Sequence, residues 1–176
     1  MHASRLTLEP PRLFQGGFTA IELMVVVSIV AILAALAAPS FTPLIERWRV
    51  RTAAEDLTST LYYARSEAIK RGGDIAIEAS SGWGDGWKVT HTRSGVATDL
   101  QVSTPPQKVT MTQSTGANTI YADRWGMLSV TSGGASTMTM NFLLQPYGKN
   151  SDDINAIRLC VVSGGRIEQK KKGAVC

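Results

Sequence analysis

Few side chains in this sequence have the types and spacing that catalysis requires. The chain contains two histidines, His2 and His91. Neither is spaced from a cysteine or a carboxylate in a way that indicates a nucleophile or a metal site. His91 is best interpreted as a surface residue of a strand. The sequence therefore predicts a protein that is not an enzyme and that needs no metal and no cofactor.

Two short segments resemble ligand loops but are better explained as connections. Residues 82–86, Gly-Trp-Gly-Asp-Gly, lack the final Lys-Ser/Thr of a phosphate-binding loop, and no helical pattern follows them. We interpret them as a turn between strands. Asp152 and Asp153 are adjacent acids in a polar loop, where solvation is the usual state and calcium binding is the alternative.

The two cysteines, Cys160 and Cys176, fall within the last 17 residues. An even number, close together and far from any histidine cluster, predicts one disulfide in an oxidising compartment. The segment between them carries four cations against one acid, Glu168. A closed loop could present these cations to phosphates, or it could be a solubilising charged surface. The candidate DNA contacts are Arg166, Lys170, Lys171 and Lys172.

The apolar residues are concentrated near the start of the chain. Residues 18–38 carry one charge, Glu22, and as a helix they would span about 30 Å, enough to cross a bilayer. A secretory signal peptide is the alternative, with Arg5 and Arg12 as its basic start and residues 35–37 as its cleavage site. The length of the run, the acid within it and the preceding Gly16-Gly17 pair favour a membrane anchor. The formal charge of +4 indicates no partner by itself.

Residues 17–27, Gly-Phe-Thr-Ala-Ile-Glu-Leu-Met-Val-Val-Val, followed by Ala-Ala-Pro-Ser-Phe at 37–41, closely resemble the class III leader of type IV pilins and type II secretion pseudopilins. The resemblance implies that a prepilin peptidase cuts between Gly17 and Phe18 and that the new amino group of Phe18 is methylated. It also implies a cleaved leader (1–17), a transmembrane and filament-core helix (18–43) and a periplasmic globular domain (44–176). One departure is Ala20, where many members carry Leu.

Glu22 is the residue we expect to direct assembly. A carboxylate buried in apolar surroundings tends to protonate unless it finds a partner. In a filament, the cationic terminus of Phe18 in an adjacent subunit can lie beside it and fix the axial register. The alternative is that Glu22 merely reaches to the membrane interface. The expected partners are other pilin subunits, the prepilin peptidase and the inner-membrane assembly machinery.

The pattern after the apolar run predicts an α+β fold. Pro39 and Pro43 interrupt it, and an amphipathic helix then runs to Arg71 and ends at Gly72-Gly73. Strands are predicted at 75–78, 87–92, 108–112, 119–122, 137–143 and 154–162, with a hairpin returning through 166–169. A long helix packed on an antiparallel sheet is pilin-like. The predicted packing positions of the helix are Leu44, Ile45, Trp48, Leu57, Leu61, Ala64 and Ala68.

Residues 61–71, 82–89 and 158–166 resemble landmarks of the GspH/FimT group. This implies a minor subunit near the tip of a type IV pilus or a type II secretion pseudopilus, anchored in the bacterial inner membrane. Some FimT-like pilins bind DNA through a C-terminal Gly-Arg-x-Arg element. Gly165-Arg166-Ile167-Glu168 matches only its first half, so DNA binding during uptake is the alternative function.

Overall fold

The computed structural model describes residues 17–37, 41–133, 139–162 and 164–176. The chain divides into two units, residues 1–40 and 41–176. Most of the predicted leader lies outside the described residues, as do Pro39, residues 137–138 of a predicted strand, and Ser163 of the predicted hairpin.

The first unit contains one described helix, α1 (Ala20–Ala37). Thr19 begins it by accepting a hydrogen bond from the backbone N–H of Glu22 at 3.2 Å, which satisfies one of the free donors of the first turn. The helix is apolar on every side, with a mean hydropathy of 2.7. Within the described residues it is the one helix long and apolar enough to cross a membrane.

The second unit opens with α2 (Thr42–Arg71), which has Pro43 in its first turn, where a missing N–H costs nothing. It ends as predicted at Gly72, whose φ of +86° is left-handed and whose N–H donates to the carbonyl of Ala68 at 2.9 Å. Lys70 and Arg71 lie in the last turn, where cations favour the helix dipole.

The buried face of α2 begins later than the sequence pattern predicted. Leu44, Ile45 and Trp48 are 61%, 45% and 66% exposed, so their predicted packing role is wrong. Among the residues that the structure describes, burial on α2 begins at Val50, and the apolar residues before it stay exposed. The apolar residues of α2 that are buried are Val50, Ala53, Ala54, Leu57, Leu61, Ala64 and Ala68.

The described residues after α2 form nine strands, and the pairings between these strands are antiparallel, which confirms the α+β prediction. One sheet has the order β3-β2-β1-β5-β6 and the other the order β4-β7-β8-β9. The strands are β1 (Ile75–Glu78), β2 (Lys88–Arg93), β3 (Val96–Val102), β4 (Val109–Gln113), β5 (Thr119–Ala122), β6 (Leu128–Ser129), β7 (Met140–Pro146), β8 (Ile157–Val161) and β9 (Ile167–Lys171).

Two strands were missed by the sequence reasoning, β3 and β6. Strand β3 is exposed along most of its length and lacks the strict alternation that marks a half-buried strand. A tight turn at Ser94 and Gly95 brings β3 back alongside β2. These two residues have left-handed φ values of 52° and 80°, the pattern of a two-residue hairpin turn.

Strand β8 begins three residues later than predicted, at Ile157. Asp153 explains the difference, since it organises a turn in front of the strand. Its carboxylate accepts the N–H of Asn155 at 2.8 Å, and its carbonyl accepts the N–H of Ala156 at 2.9 Å. Asp153 therefore has a structural role in this loop.

Candidate functional site

The residues predicted to direct processing and assembly lie at the start of α1. Phe18 is 85% exposed, and Gly17 and Glu22 are exposed as well. Phe18 precedes the helix, and Glu22 lies in the first turn of the helix, four positions further along the chain. An exposed Gly17-Phe18 pair and the acid Glu22 therefore both lie at the beginning of an apolar helix.

The predicted disulfide is confirmed. Cys160 in β8 is joined to Cys176, with 5.7 Å between their Cα atoms. Cys160 is buried, whereas Cys176 and its neighbours are exposed. The bond therefore fastens the exposed residues around Cys176 to β8, a strand inside the second sheet.

The four candidate DNA contacts differ in whether they are paired with an acid. Residues 167–171 form strand β9, in which side chains alternate between two faces. Arg166 and Lys170 lie with Glu168 and pair with it at 2.9 Å and 3.5 Å. Lys171 pairs in register with Ile157 and points to the opposite face, and Lys172 follows with a left-handed φ of 54°. The strand separates a paired cluster from two other lysines.

Arg65 of α2 is the residue that sequence reasoning missed. Its Nε donates to the carbonyl of Gly126 at 2.6 Å, Nη1 to Gly165 at 2.6 Å and Nη2 to Gly164 at 3.3 Å. One guanidinium thereby holds the turn between β5 and β6 and the turn between β8 and β9 on the same helix. The planar fork of arginine suits such multiple acceptors.

The glycines facing Arg65 have a packing reason to be glycine. Gly126 and Gly165 have φ values of +75° and +77°, in the left-handed region. A Cβ on Gly126 would lie 2.9 Å from Cδ1 of Ile69, and one on Gly165 would collide with the guanidinium of Arg65. The Gly164-Gly165 pair predicted a turn at this place, but the sequence did not indicate that Arg65 contacts it.

The connection at residues 82–86 is a short helical turn, Trp83–Asp85, between β1 and β2. Its tryptophan and the next one are buried, which the sequence reasoning did not anticipate. The indole of Trp83 donates to the carbonyl of Ala117 at 2.9 Å and packs edge-on against Phe142 at 4.8 Å. The indole of Trp87 donates to Thr60 of α2 at 3.0 Å. This segment joins the helix and both sheets.

Glu67 is a buried acid near the end of α2 that is held by two cations. It accepts a hydrogen bond from Arg71 and lies 3.5 Å from Lys70. The hydrogen bond from Arg71 lowers the pKa of Glu67 below its ordinary value of 4.5, against the opposing effect of burial.

The lowered pKa of Glu67 predicts a pH-dependent contribution to stability. An acid with a depressed pKa in the folded state stabilises the fold above its unfolded pKa, near 4.5, and loses that contribution as pH falls through the folded pKa. We expect Glu67→Gln to lower the melting temperature at pH 7, with the difference from the native chain shrinking below about pH 4.5. A difference that stays constant down to pH 3 would contradict this prediction.

An apolar helix of membrane-spanning length, followed by a helix packed on antiparallel sheets, defines a pilin-like protein. Residues 53–165 match the family described as Type II transport protein GspH. The match covers more than half of the chain, so the chain belongs to the GspH family. Members of the pilin and pseudopilin families are structural subunits and not enzymes, in agreement with the prediction of a non-catalytic chain.

Solved structures carry the same fold. The chain is similar to the type IV minor pilin FimU of Pseudomonas aeruginosa, with 25% identity, a TM-score of 0.60, and coverage of 75% of this chain and 96% of FimU. It is also similar in fold to the minor pseudopilin EpsH from the Type 2 Secretion System of Vibrio cholerae, with 14% identity, a TM-score of 0.55, and coverage of 72% and 99%.

Two curated P. aeruginosa proteins called Fimbrial protein are each 42% identical to this chain over 66 residues. That stretch is 38% of this chain and 42% of each relative, so the match spans less than half the length of the curated relatives.

Proposed function

We propose that this chain is a minor pilin or pseudopilin, a structural subunit that assembles with other pilin subunits into a filament from an inner-membrane anchor. The observation that carries this proposal is α1, an apolar helix with one acid, Glu22, four residues after the exposed Phe18. Family membership and the likeness to a minor pilin and a minor pseudopilin support it.

The proposed assembly step follows from the charge at each position. A prepilin peptidase cuts between Gly17 and Phe18, and the new, methylated amino group of Phe18 stays cationic. When α1 of one subunit packs against that of another, this cation lies beside Glu22 of its neighbour. A paired charge in apolar surroundings is far less unfavourable than an isolated one, so the pair fixes the axial register of the two helices.

Replacing Glu22 tests this pairing. Glu22→Val should leave membrane insertion intact, because removing an acid from an apolar span favours insertion, while incorporation into sheared filaments falls at least tenfold. Immunoblots of the membrane and filament fractions measure both quantities. Ser28→Val is the matched control, since it also replaces a polar residue of α1 and should assemble normally.

The processing site is checked on the same material. Mass spectrometry of the native chain and of both variants should show a mature N-terminus at methylated Phe18. Normal filament incorporation of Glu22→Val would show that the acid has no pairing role and that it merely reaches the interface. An N-terminus near Ala38 would instead support a secretory signal peptide.

We place the subunit at or near the filament tip, in a pilus or in a type II secretion pseudopilus. The likeness to both FimU and EpsH supports either system. Deletion of the gene separates them by phenotype, because loss of twitching indicates a pilus and loss of exoprotein release indicates a pseudopilus.

A second candidate function is weak DNA binding in uptake. It is favoured by Lys171 and Lys172, which are exposed and make no ion pair within the described part of the chain. The geometry of β9 weakens it, because Glu168 already pairs with Arg166 and Lys170.

Glu168→Arg tests the DNA candidate with the full chain in a neutral detergent. The change adds one cation and releases two, so about five phosphates are neutralised in place of about two. The slope of log affinity against log salt should steepen from about −2 to about −4.5 on duplex DNA. Asp152→Arg makes the same charge change at another exposed position and should have a smaller effect. Absence of duplex binding by both variants at low salt would eliminate this candidate.

A further inference from the structure

A groove of about 480 Å³ lies in the second unit between α2 and the end of the second sheet. The helix contributes Arg47, Arg51 and Glu55 to it. The loop before β8 and the strands contribute the rest, which are Ile154, Asn155, Ala156, Ile157, Gln169, Lys170, Lys171 and Lys172. The groove therefore brings helix cations together with the C-terminal lysines that face α2.

The charges of this groove are unbalanced. Among the described residues that line it, Glu55 is the one acid. Glu55 pairs with Arg51 at 2.7 Å, and this hydrogen bond raises the pKa of Arg51. Lys170 pairs with Glu168. Arg47, Lys171 and Lys172 make no ion pair within the described residues. Three cations are left to bind an anion, and mutual repulsion makes an anion between them favourable.

The same groove also exposes apolar surface. Ile154 is 72% exposed and Ile157 is half-buried, and both line it beside the cations. The backbone of DNA and free phosphate offer an anion with no apolar part to cover these side chains. A phospholipid offers a phosphate joined directly to a glycerol and acyl chains, so it matches both kinds of surface.

A short length of chain joins this groove to the helix of membrane-spanning length. Arg47 follows Ala37, the last residue of the membrane-length helix α1, by ten residues. Ten residues reach at most about 35 Å even when fully extended. A cation that lies at the surface of an anionic membrane is attracted by about 1 kcal/mol, and the attraction falls off within a Debye length.

We propose that this groove binds the headgroup of an anionic phospholipid, with Arg47, Lys171 and Lys172 on the phosphate and Ile154 against the first part of an acyl chain. The proposal depends on the membrane anchor and not on filament assembly, so it can fail while the filament role stands. Glu55 lowers the affinity of the site because it pairs with Arg51. Neutralising Glu55 makes Arg51 available as a fourth cation for the phosphate.

The test uses the full chain, delipidated in a neutral detergent and titrated with short-chain phosphatidylglycerol at physiological salt. Binding is followed through the amide resonances of the groove residues. The triple variant Arg47→Gln, Lys171→Gln, Lys172→Gln should bind roughly a hundredfold more weakly, since each cation is worth about fivefold. Glu55→Gln should bind several-fold more tightly.

A matched variant removes the same charge elsewhere. Arg93→Gln, Arg124→Gln, Lys149→Gln alters three exposed cations outside the groove and should change the affinity by less than threefold. Equal weakening by both triple variants would overturn the proposal in favour of a general charge effect. Equal affinity for phosphatidylcholine or for inorganic phosphate would overturn it as well, because neither combines a net anion with an acyl chain. Tighter, groove-dependent binding of a DNA duplex would reassign the site to nucleic acid.

Discussion

Arg65→Ala should destabilise the second unit by about 3 kcal/mol, which corresponds to a fall in melting temperature of about 10 °C for a unit of this size. The change removes three hydrogen bonds to the carbonyls of Gly126, Gly164 and Gly165. Gly126 and Gly165 are buried, so their carbonyl oxygens lose a charged donor that water replaces only in part. Denaturant unfolding of the full chain in detergent measures the loss.

Two variants show whether the fork of Arg65 matters or only its charge. Arg65→Lys keeps the charge but cannot reach two turns at once, and we expect it to recover less than half of the lost stability. Arg124→Ala removes an exposed arginine and should change stability by less than about 0.5 kcal/mol. A native-like melting temperature for Arg65→Ala would refute the role of this residue.

Replacing both Cys160 and Cys176 with serine should cost the fold about 3 kcal/mol. The bond joins residues separated by 16 positions, and in the chain-entropy model a loop of this size restricts the unfolded chain by about that amount. Thermal unfolding with and without reductant provides the measurement. Reductant should lower the melting temperature of the native chain to that of the double variant and leave the double variant unchanged. Two titratable thiols in the untreated native chain would contradict the prediction.

The sequence predicted those elements of the fold whose signals are local. Strands β1 and β5 have the predicted bounds, and α2 ends at Gly72 as expected. Each of these elements is indicated by a few neighbouring residues, which are a short apolar run between turns for the strands and a left-handed glycine cap for the helix. The burial of α2 was harder to predict, because helical periodicity shows which residues share a face but not where the sheets begin. Trp48 lies on an apolar face and is still 66% exposed.

The candidate sites divide in the same way. The cysteine pair was predicted from number and spacing and is confirmed, whereas the roles of Gly17, Phe18 and Glu22 come from a motif and stay predictions. Arg65 could not be found by such means, because its acceptors lie 61 and 100 residues away. The charges of residues 166–172 also did not predict how these side chains are arranged. In strand β9 the side chains alternate between two faces, which composition does not distinguish.

The strand order of the two sheets determines when each strand can pair during synthesis of the chain. Strand β4 pairs with β7, in the register Gln113 to Phe142, while the intervening β5 and β6 belong to the other sheet. The ribosome adds about 5–20 residues per second, so β4 has no partner for roughly 2 to 6 seconds after its synthesis. Its unpaired edge is a target for proteases and for pairing with other chains during that interval. We therefore expect nascent chains stopped before β7 to be degraded or to aggregate, and chains that extend through Cys176 to resist digestion.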